Sequence, residues 1–271
     1  MSLYKKMFEQ LKKKNEKAFI PFVVLGDPDF KTSEKILDVL VQKADALELG
    51  FPFSDPIADG KRIQAADERS LKSGTTPEKC FSLIKNIRKK NKNIPIGLLL
   101  YYNLVFSNGT ESFLRKAKAV GVNGILVADM PIEEASEFNS ICKKIGLDQI
   151  FIVAPTTDGK RMKKIASKAS GFVYTVGILG VTGERKSVAT DTLNLIRRIK
   201  KNSKIPVCVG FGISTPEHVR KIIKEGADGA IVGSAVEAII EKNLKNRKKM
   251  LKELLFFVSK MKGATLNAKG N

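Results

Sequence analysis

Two kinds of segment alternate along the chain. Short apolar runs, rich in Leu and β-branched residues, are separated by longer stretches in which apolar positions recur every three or four residues. The first pattern predicts strands and the second amphipathic helices. Strands are expected near 19–25, 46–49, 94–100, 125–128, 150–154, 172–176, 207–209 and 230–232. Helices are expected between them, among others over 32–42, 77–90, 111–120, 133–145 and 216–225. Thr76-Pro77-Glu78 and Thr215-Pro216-Glu217 each supply an N-cap hydroxyl, a proline for the first helical position and an acid for the first turn. Gly121, Gly146 and Gly226 are placed to stop helices.

Strands apolar on both faces and joined by helices imply a parallel sheet. Eight such units in about 250 residues predict an α/β protein with a closed (β/α)8 TIM barrel. A doubly wound open sheet is the alternative. Two segments lie outside the eight units. Residues 2–14 read as an extra N-terminal helix, apolar at Leu3, Met7, Phe8 and Leu11, that could plug the barrel bottom. Residues 246–262 read as a C-terminal helix with Met250, Leu251, Leu254, Leu255 and Val258 on one face. The last nine residues are expected to fray. No internal boundary shows, so 1–271 reads as one TIM-barrel domain with the barrel at about 16–245.

Composition narrows the function classes. The net charge is +20, yet 38 of the 48 basic residues are Lys, scattered over nearly every helix. Nucleic-acid readers grip phosphates and bases with Arg forks, so a solvated Lys-rich surface is the better reading, and no nucleic-acid partner is expected. That surface would still attract phosphorylated small molecules. No apolar run approaches a bilayer span, and the N-terminus lacks the apolar core of a signal peptide. The three cysteines, Cys80, Cys142 and Cys208, have no paired spacing, which suits a reducing cytoplasm. One His and no Cys pair leave no readable metal site.

The most informative segment is Glu48-Leu49-Gly50-Phe51-Pro52-Phe53-Ser54-Asp55-Pro56-Ile57-Ala58-Asp59-Gly60. An apolar strand carries Glu48 near its C-terminal end, and the following loop carries Asp55 and Asp59. Active sites of this fold lie at the C-terminal ends of the strands, and two carboxyl groups there can serve as acid and base. Glycine-rich turns follow the last three strands: 177–183, Gly210-Phe211-Gly212-Ile213-Ser214 and Gly233-Ser234-Ala235. Their backbone N–H groups, with the Ser234 hydroxyl, suit a phosphate. Duller roles stay open. Glu48 could pair with a Lys at the rim, Asp59 could shape an Asx turn, and Tyr174 could be ordinary core. Asp129 reads as structural, His218 as a surface residue and Cys208 as a small buried hydrophobe.

The Glu48–Gly60 run resembles the signature of the tryptophan synthase alpha subunit. So do Pro21-Phe22 with Gly26-Asp27-Pro28, the run from Tyr101 to Phe106, Val127-Ala128-Asp129-Met130-Pro131, Gly180-Val181-Thr182-Gly183 and Gly210-Phe211-Gly212-Ile213-Ser214. The resemblance extends in order from about residue 4 to about residue 262. It implies a lyase of tryptophan biosynthesis that cleaves indole-3-glycerol phosphate to indole and glyceraldehyde 3-phosphate. The implied assembly is an alpha2beta2 tetramer, with pyridoxal phosphate in the beta subunit and no cofactor in this chain.

The resemblance also implies roles. Glu48 and Asp59 would be catalytic. Phe22, Leu99, Tyr101, Leu126, Ile152 and Tyr174 would form the indole slot, with Phe211 beside it. Thr182, Gly183, Gly212, Gly233 and Ser234 would serve the glycerol phosphate, and Pro52, Asp55 and Pro56 the partner. Two departures stand out. Lys61 takes the place of a usual Pro, and Gly177-Ile178 replace a usual Ser-Arg, which removes a charged latch and implies weaker coupling to a beta subunit. A stand-alone lyase and a non-catalytic barrel that only activates a partner are the alternatives, the second opposed by retention of Glu48 and Asp59.

Overall fold

The computed structural model describes residues 1–176 and 184–266, apart from the side chains of 184–191 and 202. In chain order the strands are β1 (Ala18–Val24), β2 (Leu47–Gly50), β3 (Ile96–Leu100), β4 (Gly124–Val127), β5 (Asp148–Val153), β6 (Val173–Val176), β7 (Val207–Gly210) and β8 (Gly229–Val232). The helices are α1 (Leu3–Lys13), α2 (Phe30–Leu40), α3 (Lys61–Lys72), α4 (Pro77–Lys90), α5 (Tyr102–Phe106), α6 (Thr110–Ala119), α7 (Ser136–Ile145), α8 (Gly159–Lys168), α9 (Glu184–Asn202), α10 (Pro216–Lys224), α11 (Ser234–Lys242) and α12 (Arg247–Gly263). All neighbouring strands pair in parallel, and β8 returns to β1 to close a (β/α)8 barrel.

Capping chemistry sets the best-defined helix ends. The Thr76 hydroxyl accepts from Lys79 N–H and Pro77 opens α4; Thr215 and Pro216 do the same for α10, where the donor is His218 N–H. α7 ends on Gly146 in the left-handed conformation. Elsewhere the boundaries differ from the sequence reading. α7 begins at Ser136 and not at 133, because Glu134 N–H is used in a turn to Pro131 O. The helix expected over 32–42 starts two residues earlier, where the Asp29 carboxylate caps Thr32 N–H.

The barrel wall separates two apolar layers. Phe19, Val23, Leu47, Leu49 and Leu98 point outward against the helices. Ile20, Phe22, Val24, Leu126, Ile150, Tyr174, Cys208 and Ile231 point inward. The bottom is closed by α1. Its Tyr4 is 1% exposed and packs edge-on against Phe172 with ring centroids 5.4 Å apart. The Tyr4 ring fits because two neighbouring strands carry glycine: a Cβ on Gly97 would lie 2.5 Å from the Tyr4 hydroxyl, and one on Gly124 would lie 2.9 Å from the ring.

At the other end of the chain, α12 buries Met250, Leu254, Val258 and Met261, while Leu251 and Leu255 are half-buried. Fraying does not begin at 263: Ala264 and Thr265 are buried, and Lys17 N–H donates to Thr265 O at 3.0 Å. The pairing ties the chain end to the entry of β1.

Candidate active site

Strand alternation aims the first acid. Leu47 and Leu49 face the outer layer, so Glu48 between them points into the barrel. It sits beside Phe22 in the β1–β2 register and beside Gly97 in the β2–β3 register. Glu48 is 3% exposed, and its Oε2 has no hydrogen-bond partner among the described residues. Burial first, and the charge of Asp59 second, push its carboxyl up to about 8. A carboxyl so placed is protonated at neutral pH.

The second acid is built from the loop after β2. Two turns, Ile57 N–H to Asp55 O and Asp59 N–H to Pro56 O, fold it back over the barrel mouth. Tyr101, just past β3, donates its hydroxyl to Asp59 Oδ2 at 2.7 Å and accepts from Ala58 N–H at 3.0 Å. Its ring stacks on Phe53 with centroids 5.1 Å apart. Burial raises the proton affinity of Asp59, and the Tyr101 hydrogen bond works against that rise.

Glu48 and Asp59 line one cavity of about 260 Å³ at the C-terminal ends of the strands. Phe22, Leu99, Tyr174, Phe211, Gly212, Gly233 and Ser234 also line it. Leu126 and Ile152 face the barrel interior without reaching this cavity, and Tyr101 stands behind Asp59. Thr182, Gly183 and the 177–180 stretch with Ile178 lie outside the described residues.

The cavity has an anion-suited end. Gly233-Ser234 opens α11, so the first N–H groups of that helix have no intrahelical acceptor. On the neighbouring strand's turn, Phe211 and Gly212 both adopt left-handed φ, 70° and 71°. For Phe211 that conformation is strained and marks a constrained turn. His218 is not simply on the surface as expected: it is half-buried and its Nδ1 accepts Ser214 N–H at 3.3 Å, bracing this turn.

Other residues fall at the edge. Asp55 is exposed beside Ser54 and Pro56 is half-buried, but Pro52 is buried, so of the three expected partner residues it is the one that offers no surface. Ile57 on the same loop is 86% exposed. Asp129 Oδ1 accepts Tyr102 N–H at 2.7 Å. Lys61 occupies the first position of α3, where a proline is favoured but any residue fits, so the helix forms with Gly60 at its cap.

Three features escaped the sequence reading. Arg62 lines the cavity. Asp67 on α3 is buried behind the Asp59 loop, and burial together with Asp59 pushes its carboxyl up to about 8. A charged group with two fully buried acids lies further back: Asp27 holds half-buried Arg69 through two hydrogen bonds of 2.8 Å, while Glu237 accepts Val24 N–H at 2.8 Å and lies 4.0 Å from Arg69. Acids at inward positions of helices α3 and α11 were the available signal. Among the described residues no cluster of three His, Cys, Asp or Glu could hold a metal, and no helix is long and apolar enough to cross a membrane.

Comparison with known proteins places the chain in a family. The family model for the tryptophan synthase alpha chain matches residues 8–266. The chain belongs to the tryptophan synthase alpha chain family. The alpha chain of Methanocaldococcus jannaschii is 56% identical over 88% of this chain and 84% of its own length. That of Methanothermobacter thermautotrophicus is 52% identical, covering 91% and 92%. Among solved structures, a chain of the Pyrococcus furiosus tryptophan synthase a2b2 complex superposes with a TM-score of 0.85 at 40% identity, covering 92% of this chain and 99% of that one. The alpha chain of Legionella pneumophila gives 0.88 at 33% identity, covering 98% and 97%. The match to the tryptophan synthase alpha chain family thus runs from within α1 through the barrel and α12.

Proposed function

We propose that this chain cleaves indole-3-glycerol phosphate to indole and glyceraldehyde 3-phosphate, as the alpha subunit of a tryptophan synthase. The observation that carries this reading is the buried Glu48 carboxyl sharing a cavity with Asp59. The bond from indole C3 to the glycerol carbon breaks only after C3 is protonated. Glu48, at about 8, gives up a proton to C3 readily at neutral pH. Asp59, positioned by the Tyr101 hydroxyl, accepts the hydrogen bond of the indole N–H and steadies the positive charge that forms on the ring. The indolenine then loses its glycerol side chain: the C–C electron pair returns to the ring, and the neighbouring hydroxyl becomes the aldehyde. The Glu48 carboxylate left by the first step takes the hydroxyl proton, which restores the acid.

Phe22, Leu99 and Tyr174 supply the flat apolar walls for the ring, and Gly212, Gly233 and Ser234 the donors for the phosphate. Leu126 and Ile152 back the apolar wall from deeper in the barrel. Each step is a proton transfer or a carbon–carbon cleavage, so no cofactor is assigned to this chain, and pyridoxal phosphate belongs to the beta subunit. The exposed Asp55–Ala58 loop, with Ile57 bare, is the surface offered to that subunit. Three unpaired, buried cysteines suit action in the cytoplasm.

The test is to follow indole and glyceraldehyde 3-phosphate together after adding indole-3-glycerol phosphate. The two products should form one for one, and faster when a beta subunit is present. Failure to form either product with and without that subunit would refute the proposal.

A further inference from the structure

The cavity is poor in positive charge. Its acids are Glu48 and Asp59, with Asp67 close behind, and the donors at its anion-suited end are neutral backbone and hydroxyl groups. A phosphate monoester carries about −1.5 to −2 charges near pH 7. The carboxyl groups of Glu48 and Asp59 offer such a group no attraction. One cationic side chain among the described residues lines the cavity: Arg62, on the first turn of α3.

Arg62 is exposed, and among the described residues it makes no hydrogen bond or ion pair with a carboxylate. Many of the other arginines are held: Arg69 by Asp27, Arg88 by Gly121 O and Asn123, Arg115 by Glu111, Arg161 by Glu133, Arg197 by Glu225, Arg220 by Glu217 and Arg247 by Asp29. Its place is also adverse for the helix, since the N-terminal turn of α3 carries Lys61 and Arg62 and no acid. Among the described residues no acid in that first turn offsets the arrangement, whereas an anion in the cavity would.

We propose that Arg62 is a specificity-determining residue that recognises the phosphate of the substrate from the α3 side of the cavity that it shares with Gly233-Ser234. The proposal rests on the reading of the site as one for a phosphorylated substrate. The guanidinium supplies the charge that the backbone donors lack, and its fork matches two phosphate oxygens.

The experiment measures binding of inorganic phosphate and of glycerol 3-phosphate to the full chain by calorimetry, for wild type, Arg62→Ala, Arg62→Lys and Arg220→Ala. Arg220→Ala removes the same charge from a surface outside the cavity and controls for the overall field. Arg62→Ala should weaken both ligands about tenfold, equal to about 1.4 kcal/mol. Arg62→Lys should recover part of the loss, and Arg220→Ala should bind as wild type. With indole-3-glycerol phosphate, Arg62→Ala should raise KM and leave kcat near that of wild type. Binding by Arg62→Ala equal to wild type, or an equal loss in Arg220→Ala, would overturn the proposal. Turnover separates the two claims. A wild type that binds phosphate through Arg62 but does not cleave the indole substrate would refute the reaction and leave the recognition standing.

Discussion

Tyr101 donates its hydroxyl to Asp59 at 2.7 Å while accepting Ala58 N–H at 3.0 Å, so one phenol holds both the position and the charge of a loop carboxylate. This hydrogen bond favours the ionised form of Asp59 against its burial. Tyr101→Phe removes it. Asp59 then holds its proton to higher pH, and the acid limb of kcat/KM against pH moves upward. The lost hydrogen bond costs about 1 kcal/mol of stability, measured by urea unfolding.

Glu48 sets the alkaline limb. Its carboxyl is at about 8 in the folded chain and 4.5 without the fold. Cleavage needs the protonated form, so kcat/KM should decline above about pH 8. The linkage has a definite sign. Below pH 4.5 both folded and unfolded chains hold this proton. Between 4.5 and about 8 the unfolded chain releases it and the folded chain keeps it, so this group's contribution to stability is lost as pH rises through that window. Glu48→Gln should flatten the decline in unfolding midpoints between pH 5 and 9.

Gly210, at the end of β7, is required by its neighbour. A Cβ there would stand 1.9 Å from the Tyr174 hydroxyl oxygen and 2.2 Å from its ring. Gly210→Ala must push the Tyr174 ring into the cavity or displace β7, and a misplacement of that size costs about 10²-fold in rate. Adding Tyr174→Leu gives the new methyl room, and kcat/KM of the double variant should exceed that of Gly210→Ala alone.

Glu237 offers a contrast between charge and shape. It is fully buried, and desolvation first, then the Asp27 charge, raise its proton affinity well above the ordinary value. As a neutral acid it still accepts Val24 N–H. Glu237→Leu leaves that N–H unpaired and should cost about 1–3 kcal/mol in urea unfolding. Glu237→Gln keeps the acceptor. Because the raised folded affinity makes wild-type stability fall as pH climbs above the ordinary value of 4.5, the glutamine variant should gain on wild type as pH rises.

At the barrel bottom, Tyr4→Ala empties the space between Gly97, Gly124 and Phe172. Removal of a buried aromatic ring costs about 3–5 kcal/mol, and the urea midpoint should drop accordingly.

The strands and the helices with strong caps were legible because their signals are local. The eight strand positions followed from apolar runs, and the start of α4 from Thr76 and Pro77. α3 was not legible: its inward face carries Ile63 and Ala66 but also Asp67 and Ser70, which break the apolar period. α5 is only five residues long, too short to show one. The Glu48–Gly60 signature announced two acids at one strand end. Their environment was out of reach, since burial of Glu48 and the hydroxyl on Asp59 depend on side chains far along the chain. The same holds for Glu237, which lies 213 residues from the Val24 amide it accepts.

The most direct measurement is the rate of indole release from indole-3-glycerol phosphate by wild type and by Glu48→Gln, at pH 7 and saturating substrate. Gln fills the same space and keeps the barrel closed but cannot deliver the proton to C3. Loss of about 10²–10⁴-fold in kcat, with the variant folded and binding glycerol 3-phosphate as wild type does, is the expected result. Equal rates for the two proteins would contradict the assignment of Glu48 as the acid on which the proposed reaction depends.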